Sequence, residues 1–278
     1  MKMFTTSEQY KSIIADFKRK NKSLVQNCYY MFDEVKKLIE EKRLYYTVTE
    51  DALLIFRDEG KYYYINFMAS KDFKGIKIYA DKPCTTRIIS KDDSGAQKAT
   101  ECREMAERLG LLFINCYRMY EINVNDRLMC LKEIYTELLR SLNQSGFVIR
   151  QYEECYFSEV ERLWNQYLIK FNIPNEDWVV HIKNSILIVN VGSENKLCGV
   201  VMPRPCSNDN ICHVVVDPLY RGRKMGVLLY YNLLEVLRAK GYKTAYQWIA
   251  DDNISFINCQ KKYFHIKATG FKSYQYVI

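Results

Sequence analysis

The segment from Ile211 to Val227 brings basic residues and glycines together at the point where an apolar strand gives way to a helix. The first residues of a helix present unpaired backbone N–H groups and the positive end of the helix dipole, which suits them to bind phosphate. Glycine at this place lets the backbone approach an anion closely. The residues predicted to contact such an anion are Arg221, Gly222, Arg223, Lys224, Met225, Gly226 and Val227.

The elements on either side of this turn can be predicted from the same stretch. Val214 to Val216 are β-branched and indicate a strand, which must end at Asp217 because Pro218 removes a ladder donor. The helix that follows shows its inner face through Val227, Tyr230, Tyr231, Leu234 and Leu237, and Gly241 provides a C-terminal stop. A basic turn on the surface is the plain alternative, but strand, proline, basic turn and helix in this order are rarer than a lone basic turn.

At Val216, Pro218, Arg221, Gly222 and Gly226 the segment resembles the V-x-P-x-x-R-G-x-G-x-G/A signature of the GNAT superfamily of N-acetyltransferases. The resemblance extends with less specificity over residues 146–278. It implies that acetyl-CoA, or another acyl-CoA, is the co-substrate and that an amine of a small molecule or peptide is the acceptor. In enzymes of this family the acceptor amine attacks the thioester directly, so the resemblance implies neither a metal nor a nucleophile from the enzyme.

The resemblance also assigns roles outside the turn. The backbone groups of Val214 and Val216 would hold the pantetheine arm, and Asn253 would contact CoA. The family's customary tyrosine, the acid that protonates the departing thiolate, falls at Gln260, so Tyr263 is the nearest candidate. His213 lies on the same strand as the pantetheine site and titrates in the range that a general base needs.

Lys224 departs from the family pattern, which usually has glycine there. A lysine in a first helical turn is unstrained, whereas a left-handed conformation disfavours it. We therefore expect helical dihedral angles at Lys224, with its side chain reaching the outer phosphates of the ligand.

The rest of the chain supplies the elements that would position this site. Apolar periodicity predicts helices over residues 6–22, 30–42, 95–109, 126–142 and 156–169. Hairpins are predicted at 52–67 and 186–201, separated by about half the chain. We predict an α/β protein with a mixed, mostly antiparallel central sheet flanked by helices, in two domains: residues 1–143 and residues 144–278.

The two similar hairpins indicate a tandem repeat of GNAT-like domains. The N-terminal half contains no turn with proline, arginine and glycine between a strand and a helix, so we expect that half to be degenerate and to bind no CoA. The C-terminal half is expected to be catalytic.

Composition narrows the class of protein. The 278 residues are 48% hydrophobic, which allows a large core, and no apolar stretch approaches the roughly 20 residues of a transmembrane helix. The ten cysteines are scattered and indicate no disulfide framework. With three histidines and no C-x-x-C, no zinc site is indicated either. We expect a cytoplasmic location. The net charge is +8, but the lysines and arginines are interspersed with acidic residues along the chain. This distribution does not favour nucleic acid as a partner.

Two other functions stay open on the sequence. A tandem arrangement also resembles the Fem-type aminoacyltransferases, which use aminoacyl-tRNA, although the intact phosphate turn favours CoA. A non-catalytic module that binds CoA or a partner protein is compatible with the missing tyrosine and with Lys224. The acceptor amine and the oligomeric state are not indicated by any sequence feature.

Overall fold

The computed structural model describes residues 1–27, 32–60, 62–91, 96–167, 182–192, 195–205 and 210–278. By its internal contacts the chain forms two compact units. Unit 1 comprises Met1–Arg118 together with Gly270–Ile278, and unit 2 comprises Met119–Thr269.

Unit 1 is built on a sheet that contains antiparallel pairs and one parallel pair of neighbouring strands. Its elements in chain order are β1 (Lys2–Met3), α1 (Ser7–Lys20), β2 (Leu24–Gln26), α2 (Phe32–Glu40), β3 (Leu44–Val48), β4 (Ala52–Asp58), β5 (Tyr63–Ser70), β6 (Cys84–Lys91) and α3 (Ala96–Arg108). β1, β3, β4 and β5 pair antiparallel in this order, and β2 pairs with the other edge of β5. β5 and β6 are parallel.

Both faces of this sheet are buried, which explains the uninterrupted apolar run in β4. Leu53 and Ile55 pack with α1 and α2 on one face, while Leu54 and Phe56 pack with α3 on the other. Successive side chains of a strand point to opposite faces, so a strand that is covered on both sides needs apolar residues throughout.

Unit 2 contains the remaining helices and strands. They are β7 (Leu112–Asn123), which begins in unit 1, α4 (Val124–Gln144), β8 (Phe147–Gln151), α5 (Phe157–Tyr167), β9 (Ile186–Asn190), β10 (Lys196–Pro205), β11 (Asn210–Val216), α6 (Met225–Ala239), β12 (Thr244–Ala250), α7 (Ile254–Phe264) and β13 (Lys267–Val277), which ends in unit 1. β8 to β11 pair antiparallel in sequence order, and β11 is parallel to β12.

Unit 2 is likewise layered. α4, α6 and α7 pack on one side of the strands, where α6 supplies the largest share of the core. α5 packs on the opposite side through Val160, Leu163 and Trp164. The predicted fold class, mixed α/β with a largely antiparallel sheet flanked by helices, is confirmed.

The division of the chain differs from the expected ranges 1–143 and 144–278. α4 lies in unit 2, because Leu128, Leu131 and Leu142 share a core with α6. The last strand returns to unit 1, where Phe271 to Val277 pair with β6. Neither placement is visible in local periodicity.

Both predicted hairpins and all the predicted helices are present in the described residues. The predicted helix starts at Tyr30 and Gly95, and the predicted end at Ile169, lie outside the described residues. Local sequence patterns predict strands over residues 111–122 and 147–150, which correspond to β7 and β8, but they give no prediction for β1, β2, β3, β6 and β13. No helix in the described ranges is long and apolar enough to cross a membrane.

The two units follow a common strand order with one difference. In unit 2 the parallel pair β11 and β12 is connected through α6, whereas residues 71–83, which connect the parallel pair β5 and β6, contain no helix. The element that carries the basic turn in unit 2 therefore has no counterpart between β5 and β6.

Candidate functional site

Asp217 fixes the end of β11 and the beginning of the turn. Its Oδ1 accepts a hydrogen bond from the amide of Leu219 at 3.1 Å, and its Oδ2 pairs with the guanidinium of Arg162 on α5 at 3.2 Å. Pro218 opens a short 3₁₀ turn that ends at Tyr220. The predicted stop at Asp217 is confirmed, but the partner Arg162 lies 55 residues earlier and gave no local signal.

The side of β11 that faces β12 carries two backbone donors near the turn. The amide of Asp217 donates to the carbonyl of Cys198 on β10, and hydrogen-bonded residues alternate along an antiparallel strand. Positions 215 and 213 therefore also bond toward β10, and the N–H groups of Val214 and Val216 point to the β12 side. In the described residues of β11 and β12 the pairing is at Ile211 and Tyr246, so both N–H groups lie beyond it, toward the carboxyl end of β11.

The turn itself contains two residues in the left-handed region. Gly222 has φ of 82°, and Lys224 has φ of 58° and ψ of 17°. The expectation of helical dihedral angles at Lys224 was wrong. The residue stands outside the helix as its N-cap, where the chain reverses into α6, and the family's glycine at this position is the residue that makes that reversal without strain.

Two of the three basic side chains of the turn are engaged with the protein. Arg221 folds back, and its Nε donates to the carbonyl of Val216 at 3.1 Å. The guanidinium of Arg223 stacks over the ring of Phe147 at 5.4 Å. Lys224 is exposed.

The start of α6 is open to an anion. No side chain of the described residues caps it, and the first helical hydrogen bonds run from Val227 and Leu228 to the carbonyl of Lys224. The amides of Met225 and Gly226 precede these bonds and have no acceptor within the helix. Apart from its own helix backbone, a Cβ built on Gly226 would meet no atom of the described residues within 4 Å, so that part of the chain leaves space over this backbone.

α7 holds a buried polar network at the place where the family resemblance puts its tyrosine. Gln260 is 1% exposed and accepts from Nε2 of Gln247 at 3.2 Å. The hydroxyl of Tyr230 makes a short hydrogen bond to Oε1 of Gln247. Asn253 caps α7 by accepting from the amide of Phe256 at 3.4 Å, which leaves its Nδ2 for another partner.

The two candidate acid–base residues lie in different surroundings. Tyr263 is half-buried against the core of unit 2, with the ammonium of Lys262 5.4 Å from its ring centre. His213 packs edge-on against Trp164 of α5, with ring centres 5.2 Å apart. Because side chains alternate along β11, His213 lies on the α5 face, opposite to the face on which Val214 and Val216 pack toward α6.

Other kinds of site receive less support. Within the described ranges no three His, Cys, Asp or Glu side chains are grouped to hold a metal ion. Cys84, Cys102 and Cys198 are buried and free, and burial raises the pKa of each thiol to about 11. At neutral pH these thiols are therefore protonated and poor nucleophiles.

Residues 146–264 match the acetyltransferase (GNAT) family. Solved structures support the fold. A GCN5-related N-acetyltransferase-like protein from Streptococcus suis 89/1591 is 13% identical, with a TM-score of 0.50 over 98% of each chain. A GCN5-related N-acetyltransferase from Sphaerobacter thermophilus is 11% identical, with a TM-score of 0.51 over 89% of this chain and 85% of that one.

A third similar structure is a tandem GNAT protein from the clavulanic acid biosynthesis pathway. It is 12% identical, with a TM-score of 0.51 over 82% of this chain and 78% of that chain. The tandem arrangement predicted from the hairpins agrees with this neighbour. No protein of curated function matches the sequence.

Proposed function

We propose, from the match of residues 146–264 to the GNAT acetyltransferase family, that unit 2 transfers an acetyl or other acyl group from CoA to a primary amine. The observation that carries this proposal is the uncapped start of α6, which follows β11, where the N–H groups of Val214 and Val216 point to the β12 side beyond the pairing of Ile211 with Tyr246. Together they provide donors for a pyrophosphate and for an extended pantetheine arm.

Each part of the ligand has a set of residues assigned to it. The turn from Arg221 to Val227 binds the pyrophosphate, with the N–H groups of Met225 and Gly226 as donors and with Arg221, Arg223 and Lys224 adding positive charge. The N–H groups of Val214 and Val216 hold the arm, and Asn253 contacts CoA through its free Nδ2.

The chemistry needs no covalent enzyme intermediate. The amine attacks the thioester carbonyl, a strand N–H polarises the carbonyl oxygen, and the C–S bond breaks as the nitrogen loses its proton. Tyr263 is assigned to protonate the departing thiolate, since Gln260 has no acidic proton. His213 is the proposed base, acting on the amine directly or through water.

A non-catalytic CoA-binding module is the second candidate, and the buried Gln260 favours it. A Fem-like aminoacyltransferase has no specific observation in its favour. Turnover separates the first two, and binding of aminoacyl-tRNA in place of CoA would identify the third.

The test is a panel of amines, including amino acids, polyamines, aminoglycosides and peptide N-termini, incubated with acetyl-CoA while free thiol is measured. Thiol release that depends on one acceptor class supports the enzyme. Tight CoA binding without release above the hydrolysis background for every acceptor would favour the module.

The phosphate turn is tested by Gly226→Val. A β-branched side chain would project into the space that the phosphate needs, so CoA binding should be lost in calorimetry. The fold should survive, because no other part of the described chain comes within 4 Å of that Cβ. Gly226→Ala is the matched control for helix propensity and should bind with intermediate affinity. Wild-type affinity in Gly226→Val would refute the assignment of the turn.

A further inference from the structure

Unit 2 places a buried carboxylate at the start of the turn that is proposed to bind pyrophosphate. Asp217 directly follows β11, and its side chain is 6% exposed. A carboxylate repels a nearby anion, and this repulsion is screened least where water is excluded. A turn that binds pyrophosphate therefore needs a means to offset the charge of Asp217.

Asp217 shapes the turn through bonds that do not need its charge. Its Oδ1 accepts from the amide of Leu219 at 3.1 Å, and its backbone carbonyl accepts from the amide of Tyr220 at 2.9 Å. An asparagine would accept the first of these bonds as well, since Asn and Asp are comparable as caps. The shape of the turn and the charge at its start can therefore be separated by experiment.

Arg162 on α5 supplies the opposite charge. Its Nη2 lies 3.2 Å from Oδ2 of Asp217, and its Nη1 donates to Oε1 of Gln166 on the same helix at 3.3 Å. Among the described residues this guanidinium is the cation that pairs with Asp217. Removing one partner of such a pair leaves the other charge uncompensated.

α5 is held on the strands, and this fixes the position of the guanidinium. Glu159 lies one turn before Arg162, and its Oε2 accepts from the amide of Leu197 on β10 at 3.1 Å. The next residue of β10, Cys198, accepts from the amide of Asp217 at 2.9 Å. Residues three apart on a helix share a face, so one face of α5 contacts both β10 and the end of β11.

The basic turn begins beside the same carboxylate. Nε of Arg221 donates at 3.1 Å to the carbonyl of Val216, the residue before Asp217. The positive charge that is proposed to attract the pyrophosphate and the negative charge of Asp217 are thus carried by neighbouring parts of the turn. An unpaired carboxylate would cancel part of the field of Arg221, whereas a carboxylate paired with Arg162 cancels much less of it.

We propose that Arg162 is a positioning residue for CoA that acts through Asp217. It neutralises this carboxylate, so that the turn shaped by Asp217 presents a positive field to the pyrophosphate. α5 therefore takes part in CoA binding from the side of the sheet opposite to α6. This inference rests on the proposed function, because it concerns the same ligand.

A series of charge changes at this pair tests the proposal, with the CoA affinity of the full-length chain measured by calorimetry at low salt. Arg162→Gln leaves one negative charge and should weaken binding roughly five- to tenfold. Asp217→Asn keeps the bond to Leu219, leaves one positive charge and should strengthen binding several-fold. The double variant carries no net charge, like the ion pair, and should bind within about twofold of wild type. High salt should reduce each difference.

A purely structural role for the pair predicts a different order of affinities. If the pair served only to hold α5 against the turn, all three variants would lose that contact and all three would bind CoA less tightly. Arg162→Lys keeps the charge and should bind close to wild type. Arg238→Gln, which removes an exposed arginine paired with Glu235 near the other end of α6, is the control for net charge and should bind as wild type.

The proposal is overturned if Arg162→Gln binds CoA as tightly as wild type, or if the double variant binds as weakly as Arg162→Gln. Should Arg162→Gln fail to fold, Asp217→Asn decides, since an affinity no higher than that of wild type would exclude the effect of the charge. Unchanged affinity in every variant, while wild type binds CoA, would refute this inference alone. Failure of the wild-type chain to bind CoA would refute the proposed function, and this inference with it.

Discussion

A lysine in the left-handed region, as at Lys224, stores backbone strain at the start of α6. Lys224→Gly removes it and should raise the free energy of unfolding by about 1 kcal/mol. Lys224→Ala keeps the left-handed strain and removes only the charge, so it is the matched control. Denaturant unfolding of both variants measures the difference, and equal stability would show that the turn relaxes when lysine is absent.

The same pair of variants measures what the lysine does for the ligand. A single exposed charge facing a phosphate should strengthen CoA binding several-fold at low salt and less at high salt. Lys224→Gly and Lys224→Ala should both lose this several-fold contribution to CoA affinity, and to the same extent. If Lys224→Gly instead binds CoA more tightly than Lys224→Ala, closeness of the backbone matters more than the charge.

Tyr263 is proposed to act as the acid that protonates the departing thiolate. Tyr263→Phe should lower turnover by about 10²-fold, since proton donation acts in the transition state, and should change CoA affinity little. Tyr242→Phe, a phenol packed against the same core, serves as the control. A rate equal to wild type in Tyr263→Phe would return Tyr263 to a packing role.

Residue identities in the turn could be predicted from the sequence because they follow one another along the chain. The dihedral angles of Lys224 could not be predicted from the sequence. A lysine at a glycine position can be either helical or left-handed, and only the path of the chain into α6 selects between these conformations. The network of Tyr230, Gln247 and Gln260 was missed for another reason: its members come from three elements.

At the scale of elements, α6 approaches the sheet where β10 has no side chain. A Cβ on Gly199 would lie 3.2 Å from Cδ1 of Leu229 on α6 and 3.3 Å from the carbonyl oxygen of Val215. Gly199→Ala should therefore destabilise unit 2 by about 1–3 kcal/mol through overpacking. Gly192→Ala, in an exposed turn where the nearest atom is 3.4 Å away, is the control and should melt as wild type. Equal melting of both variants would contradict the close approach.

The predicted correspondence of the hairpins is displaced by one strand. β5 and β11 are the strands that enter a parallel pair, so the hairpin of β4 and β5 corresponds in topology to β10 and β11 rather than to β9 and β10. Local periodicity finds hairpins, but it cannot tell which strand of each lies next to a parallel neighbour.

At the scale of the whole molecule, one chain should bind one CoA. Unit 1 has no helix between its parallel strands, and hence no N-terminus there to receive a pyrophosphate. Calorimetry on the full chain should give a stoichiometry of one, and the Gly226→Val variant should give none. A second site that survives in Gly226→Val would place CoA in unit 1.

The return of the last nine residues to unit 1 has a consequence for biosynthesis. Translation proceeds from the N-terminus, so every residue of unit 2 has been polymerised before Phe271 to Val277 exist to pair with β6. Until then β6 has an open edge, which is prone to pair with other chains. Unit 1 is therefore the first to be made and the last to be completed, and a nascent chain that stalls before residue 270 exposes this edge to aggregation.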